Sequence, residues 1–120
     1  MHELSIASGI LDLVRQHVPD GRLGDVRGVD VRVGRLSGVV ADSLAFSFEA
    51  LVLDTPLARA RLVIEDVPVR CRCRECGAQF EIADPVFLCT ACGHPWLDVQ
   101  SGTELQVVQI ELDDAPAEVP

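Results

Sequence analysis

The sequence predicts an α+β fold in which a small mixed three-stranded sheet carries two helices. Two segments have helical periodicity and three have strand character, in the order helix, strand, helix, strand, strand. A helix joins the first two strands, which favours a parallel pair within a mixed sheet. A cysteine-bearing segment lies between the last two strands, so we expect a second domain inserted there. At 120 residues, the chain can form one modest hydrophobic core with a small appendage.

Two helices are predicted from apolar spacing and from their end signals. The first spans residues 4–18 and ends at Pro19-Asp20-Gly21. Its apolar residues recur three and four positions apart: Leu4, Ala7, Leu11, Val14 and Val18. The second begins with Asp42 or Ser43 as its N-cap and runs to about Leu53.

Three strands are predicted, over residues 29–33, 61–67 and 104–112. In the last of these, alternation places Val108, Ile110 and Leu112 on the core face and Gln109 and Glu111 on the other. The tail after residue 112 is acidic and contains proline, so we expect it to be frayed.

Charge and hydropathy narrow the functional class. The net charge of −9 argues against broad contact with nucleic acid or an anionic membrane. No apolar stretch approaches the ~18 residues of a membrane span. Glu3 and Asp12 interrupt the first apolar segment, which therefore lacks the pattern of a secretory signal. We expect a cytoplasmic protein, in which cysteines at metal spacing are ligands and not disulfide partners.

Two Cys-x-x-Cys-Gly motifs, CRECG at 73–77 and CTACG at 89–93, predict a metal site. Each pair can direct two thiolates from one tight turn, and the following glycine permits a positive φ. Two such turns supply the four sulfurs of a closed, structural zinc site: Cys73, Cys76, Cys89 and Cys92. Cys71 and His94 fall outside the pattern, and His94 could donate to a ligand sulfur.

The cysteine segment has too few large apolar residues to fold by burial alone, so bound metal would replace a core. We therefore predict a zinc-ribbon-like domain over residues 70–97. The remaining ranges, 1–69 and 98–120, form the α/β domain.

The first three residues, Met1, His2 and Glu3, can chelate a metal. A free α-amine, the amide nitrogen of residue 2 and the His2 imidazole close adjacent chelate rings, and the Glu3 amide can complete a square of nitrogens. Such a set suits Ni(II) or Cu(II) and does not suit zinc or magnesium.

MHELS at 1–5, SGVVADSLAFSFEAL at 37–51 and the two CxxCG motifs together resemble the HypA/HybF family of hydrogenase-maturation nickel chaperones. The resemblance implies a nickel-binding domain with His2 as ligand, helped by the terminal amine and the Glu3 backbone. It also implies a zinc domain inserted before the last strand, held by the four cysteines. Many relatives carry an acidic residue where this chain has Val40, so a carboxylate ligand from that region is not expected.

The resemblance further implies a binding and transfer protein that is not an enzyme. Its cargo would be Ni(II), its structural ion Zn(II), and its partners the HypB GTPase and the large subunit of nickel–iron hydrogenase. Some members of the family also serve urease, so urease maturation proteins are further candidate partners.

Two other readings fit part of the sequence. An acidic zinc-ribbon module could bind protein or nucleic acid, although all ten basic residues are arginine and the net charge is −9. A rubredoxin-like electron carrier would hold iron in the four-sulfur site. The twelve-residue spacing is short for that fold, and most of the chain would be left unexplained.

Overall fold

The structure is a computed structural model, and it describes residues 3–83, 86–113 and 116–118. Its elements, in chain order, are α1 (Glu3–His17), a 3-10 turn (Asp20–Asp25), β1 (Val26–Gly34), α2 (Ala41–Val52), β2 (Arg61–Val67), β3 (Val69–Cys73), β4 (Gln79–Ile82), β5 (Leu97–Ser101), β6 (Leu105–Leu112) and β7 (Pro116–Glu118). The α+β class and the predicted order of helices and strands are confirmed.

The first sheet has the strand order β2-β1-β6-β7. Strand β1 pairs in parallel with β2 and antiparallel with β6, so the sheet is mixed as predicted. The fourth strand corrects the expectation of a frayed tail. Pro116–Glu118 pairs with Gln109–Glu111 because the outer edge of β6 offers backbone groups that a short extended segment can satisfy.

The hydrophobic core lies between this sheet and the two helices. Alternate residues of β1 point into it, with Val29 and Val31 almost completely buried. The helices contribute Leu11 and Val14 from α1 and Phe48 from α2. Both helices pack on one face of the sheet, so the described elements leave the opposite face of β1 and β2 uncovered.

The alternation predicted for β6 is wrong at Val108. Asp30 of β1 aligns with Gln109 and the next residue, Val31, aligns with Val107, so Val108 is an extra residue in a β-bulge. The bulge turns Val107 towards the core with Ile110. Val108 is left 40% exposed on the uncovered face.

The cap predicted for α2 is also wrong. Val40 is the N-cap and makes no side-chain capping bond, while Asp42 lies in the first helical turn. The Val40 backbone N–H donates to the Glu3 carboxylate at 3.3 Å. The start of α1 is therefore tied to the start of α2, a long-range contact that replaces a local cap.

The second sheet has the order β4-β3-β5 and carries the cysteine segment. Its buried hydrophobic cluster is small, with Val69, Cys71 and Ile82 at its centre and Phe80 and Leu97 against them. This agrees with the expectation of a poor local core. The division into domains of 1–69 with 98–120, and of 70–97, stays a prediction.

A hydrogen-bonded junction joins the two sheets. The N–H of Leu36 donates to the carbonyl of Gly102 at 2.6 Å, and the hydroxyl of Ser101 donates to the carbonyl of Pro68 at 2.8 Å. A Cβ on Gly34 would overlap the backbone of Gly102, so this close approach requires glycine. Within the described ranges, none of the helices is long and apolar enough to cross a membrane.

Two phenylalanines on α2 provide a matched test of this packing. Phe48 is completely buried and Phe46 is 73% exposed. Phe48→Ala should lower the free energy of unfolding by about 3–5 kcal/mol because it leaves a cavity. Phe46→Ala should change it by no more than about 0.5 kcal/mol. Urea denaturation followed by circular dichroism measures both, and equal losses would contradict the packing.

Candidate metal centres

Four sulfurs meet at one point beside β3 and β5. The ligand atoms of Cys73, Cys76, Cys89 and Cys92 all lie within 4.8 Å of one another. The sulfurs of Cys73 and Cys92 are 3.6 Å apart, and those of Cys76 and Cys89 are 3.5 Å apart. The two motifs are thus brought together as their spacing predicts.

Backbone hydrogen bonds shape each cysteine turn. In the first turn, the N–H of Gly77 donates to the carbonyl of Cys73 at 3.0 Å. In the second turn, the N–H of Gly93 donates to the carbonyl of Cys89 at 2.9 Å. The φ angles of Gly77 and Gly93 are 76° and 78°. Residues that carry a Cβ rarely adopt this conformation. Both glycines therefore act as predicted, by letting the chain reverse directly behind each pair.

Neighbouring sulfurs and backbone N–H groups shift the pKa values of the thiols. The backbone N–H of Cys92 is the largest influence on Cys89 and, with the N–H of Ala91, lowers the pKa of that thiol to about 6. The N–H of His94 favours the thiolate of Cys92, but desolvation and the three neighbouring sulfurs outweigh it and raise the pKa of Cys92 to about 12. The four groups therefore cannot all ionise easily by themselves. A divalent cation would offset this mutual repulsion.

The sulfur spacing fits a tetrahedral metal and not disulfides. Zn–S bonds of about 2.3 Å place the sulfurs of a tetrahedron roughly 3.8 Å apart, close to the two distances above. A disulfide would bring two sulfurs to about 2.05 Å, and all five cysteines are free. Four thiolates fill a four-coordinate ion and leave no open position for a substrate.

Of the two residues outside the motifs, His94 reaches the four-sulfur group through its backbone N–H, and Cys71 belongs to a different cluster. Cys71 is buried in the small hydrophobic cluster, and burial raises the pKa of its thiol. His94 is exposed, and its ring centroid lies 6.0 Å from that of Trp96. Cys71 therefore packs as a small apolar residue.

The predicted nickel ligands Met1 and His2 lie outside the described residues. Glu3, the third, is the first residue of α1, and its carboxylate accepts the N–H of Val40. An open cavity of about 460 Å³ lies beside Glu3, and Asp42 and Phe46 of α2 line it. Sequence reasoning missed that Glu3 lies beside the start of α2, because nothing in local spacing reports a contact across 37 positions.

Comparison with known proteins gives a consistent family. The model of the family described as "Hydrogenase/urease nickel incorporation, metallochaperone, hypA" matches residues 1–112. The chain is 44% identical to the hydrogenase maturation factor HypA of Desulfosudis oleivorans, over 95% of this chain and all of the relative. It is 42% identical to the HypA of Streptomyces avermitilis, over 95% of this chain and 88% of the relative.

Solved structures share the fold. The solution structure of the Ni metallochaperone HypA from Helicobacter pylori matches with a TM-score of 0.61 and 23% identity, covering 93% of this chain and 97% of that one. A second HypA solution structure matches with a TM-score of 0.65 and 24% identity, covering 93% and 96%.

The match along the chain confirms the resemblance found from MHELS and the two cysteine motifs. It also confirms the expectation of a maturation factor that is not an enzyme, because the family is one of metallochaperones. This chain belongs to the HypA family of hydrogenase/urease nickel-incorporation metallochaperones.

Proposed function

We propose that this chain binds Ni(II) at its N-terminus and delivers it for maturation of nickel–iron hydrogenase. The observation that carries the proposal is the match of residues 1–112 to a nickel-incorporation family, with Met1-His2-Glu3 at the start of the match. The ligands would be the Met1 amine, the His2 imidazole and backbone nitrogens up to Glu3. Such a nitrogen set suits square-planar Ni(II).

The position of this site suits transfer of the metal. Glu3, next to the proposed ligands in the sequence, borders an open cavity, so we expect a metal bound there to be accessible. A recipient protein could approach such a metal without unfolding the carrier. The acidic side chains of Glu3 and Asp42 border the same cavity and favour cations.

The metal at the four-cysteine site would have a structural function. We propose that Zn(II) occupies the four-cysteine site and replaces the missing core of the segment from residue 70 to 97. Apparent zinc affinities of about 10–16 kcal/mol in small modules are enough to fold such a segment. The closed tetrahedron makes this zinc structural, whereas nickel is cargo.

The partners follow from the same proposal. The cytoplasmic HypB GTPase and the hydrogenase large subunit would exchange nickel with this chain, and urease maturation proteins are a further class of recipient. A nucleic-acid role is not favoured, because the chain has a net charge of −9 and no lysine.

Removal of a motif cysteine tests the zinc site. Cys76→Ala and Cys92→Ala should each lose most of the bound zinc and disorder the segment from residue 70 to 97, because three thiolates hold the ion more weakly. Cys71→Ala is the matched control and should keep about one zinc per chain. Elemental analysis and amide hydrogen exchange measure both effects. Full zinc retention in the motif variants would contradict the site, and a red protein would indicate iron.

Replacement of His2 tests the nickel site. His2→Ala should lose specific nickel binding in calorimetry while zinc content and melting temperature stay unchanged, because a histidine at the second position of the chain contributes little to a hydrophobic core. His17→Ala is the matched control. His17 is an exposed histidine whose Nδ1 lies 2.9 Å from the Leu13 carbonyl, so that variant should bind nickel normally.

A blocked terminus tests the amine separately. A short N-terminal extension converts the Met1 amine into an amide, so the extended protein should also lose nickel. Wild-type nickel affinity in both the His2→Ala and the extended protein would refute the N-terminal site.

A further inference from the structure

The uncovered face of the first sheet carries a groove of about 260 Å³. Its floor is β1, and its sides are β2 and β6. Asp30 lies in the middle of the floor, because it aligns with Val63 of β2 on one side and with Gln109 of β6 on the other. This face is opposite α1 and α2, and none of the four motif cysteines lines the groove.

Asp30 is poorly satisfied where it lies. Its Oδ1 is buried and has no hydrogen-bond partner among the described residues. Its two cross-strand neighbours, Val63 and Gln109, carry no charge. A carboxylate oxygen that has lost water and gained no partner is costly, so such a group calls for an explanation.

The next residue pair on the same face of the sheet has the ion pair that Asp30 lacks. Two residues along β1, Arg32 aligns with Glu65 and pairs with it at 2.7 Å. The charges of Arg32 and Glu65 therefore neutralise each other within the chain. Beside Asp30, β2 has a valine, and Asp30 forms no ion pair among the described residues.

The rim of the groove is apolar. Val63 is 49% exposed and Val108 is 40% exposed, and Val108 is there only because the bulge in β6 turns it outward. A metal ion would need several oxygen ligands, and the second carboxylate of the groove, Glu65, is already paired with Arg32. A guanidinium group fits better, since it is planar, weakly hydrated and able to form paired hydrogen bonds to a carboxylate.

We propose that this groove docks a partner protein through an arginine flanked by apolar residues. The arginine pairs with Asp30, and its apolar neighbours cover Val63 and Val108. The proposal concerns a contact surface formed by the strands, and it stands or fails independently of nickel binding.

A peptide probe tests the groove directly. The probe is the acetylated, amidated peptide Leu-Val-Arg-Val-Leu, and its neutral control has citrulline in place of arginine. Titration into zinc-loaded full-length protein is followed by the methyl NMR signals of Val63 and Val108. We expect saturable shifts confined to the groove, with the citrulline peptide at least about tenfold weaker, the loss expected for one charge-assisted hydrogen bond.

Two variants and a control sharpen the test. Asp30→Asn keeps the shape of the side chain and should weaken the arginine peptide by about the same factor. Asp12→Asn removes an exposed charge on α1 and should have no effect. Val63→Arg should build the missing pair within the chain, raise the melting temperature and abolish peptide binding.

Several results would overturn the proposal. They are equal binding of the arginine and citrulline peptides, unchanged binding by Asp30→Asn, and NMR shifts that spread to acidic residues outside the groove. Concentration-dependent shifts of Val63 and Val108 without peptide would also overturn it, because they would assign the groove to a second copy of this chain.

Discussion

The fold depends on the alternation of side chains along β1. This strand pairs with β2 on one side and β6 on the other, so it is an inner strand of the four-stranded sheet. Its valines face the helices and form the core, whereas Asp30 and Arg32 face the uncovered side. Its last residue, Gly34, makes the close approach to Gly102 that joins the second sheet. A shift of one residue would reverse both faces and break that junction.

In the proposed function, the chain separates two metals by the chemistry of their ligands. The four-sulfur site is closed, and its backbone is fixed by the turns at Gly77 and Gly93. Its soft thiolates suit zinc. The proposed nickel ligands are nitrogens of the first three residues and include no thiolate. With separate ligand sets, nickel could leave without removing a ligand from the proposed zinc.

Much of the fold follows from local patterns in the sequence. Both ends of α1 and the end of α2 are predicted within one residue, because apolar spacing and Pro19 mark these limits, whereas the start of α2 is predicted two or three residues too late. The four-sulfur cluster was predicted completely, since each motif encodes its own turn. The details that were missed depend on contacts between distant segments. The bulge at Val108 arises from pairing with β1, and the N–H of Val40 is bound by Glu3 of another helix. The unpaired carboxylate of Asp30 is likewise invisible until strand register places Val63 beside it.

The central claim is that nickel and zinc occupy different ligand sets in the same chain. X-ray absorption at the nickel and zinc edges, on untagged protein loaded with both metals, tests it most directly. The account predicts nickel surrounded by nitrogen and oxygen with no sulfur, and zinc surrounded by four sulfurs at about 2.3 Å. Sulfur scattering at the nickel edge, with zinc displaced from the cysteines, would contradict it.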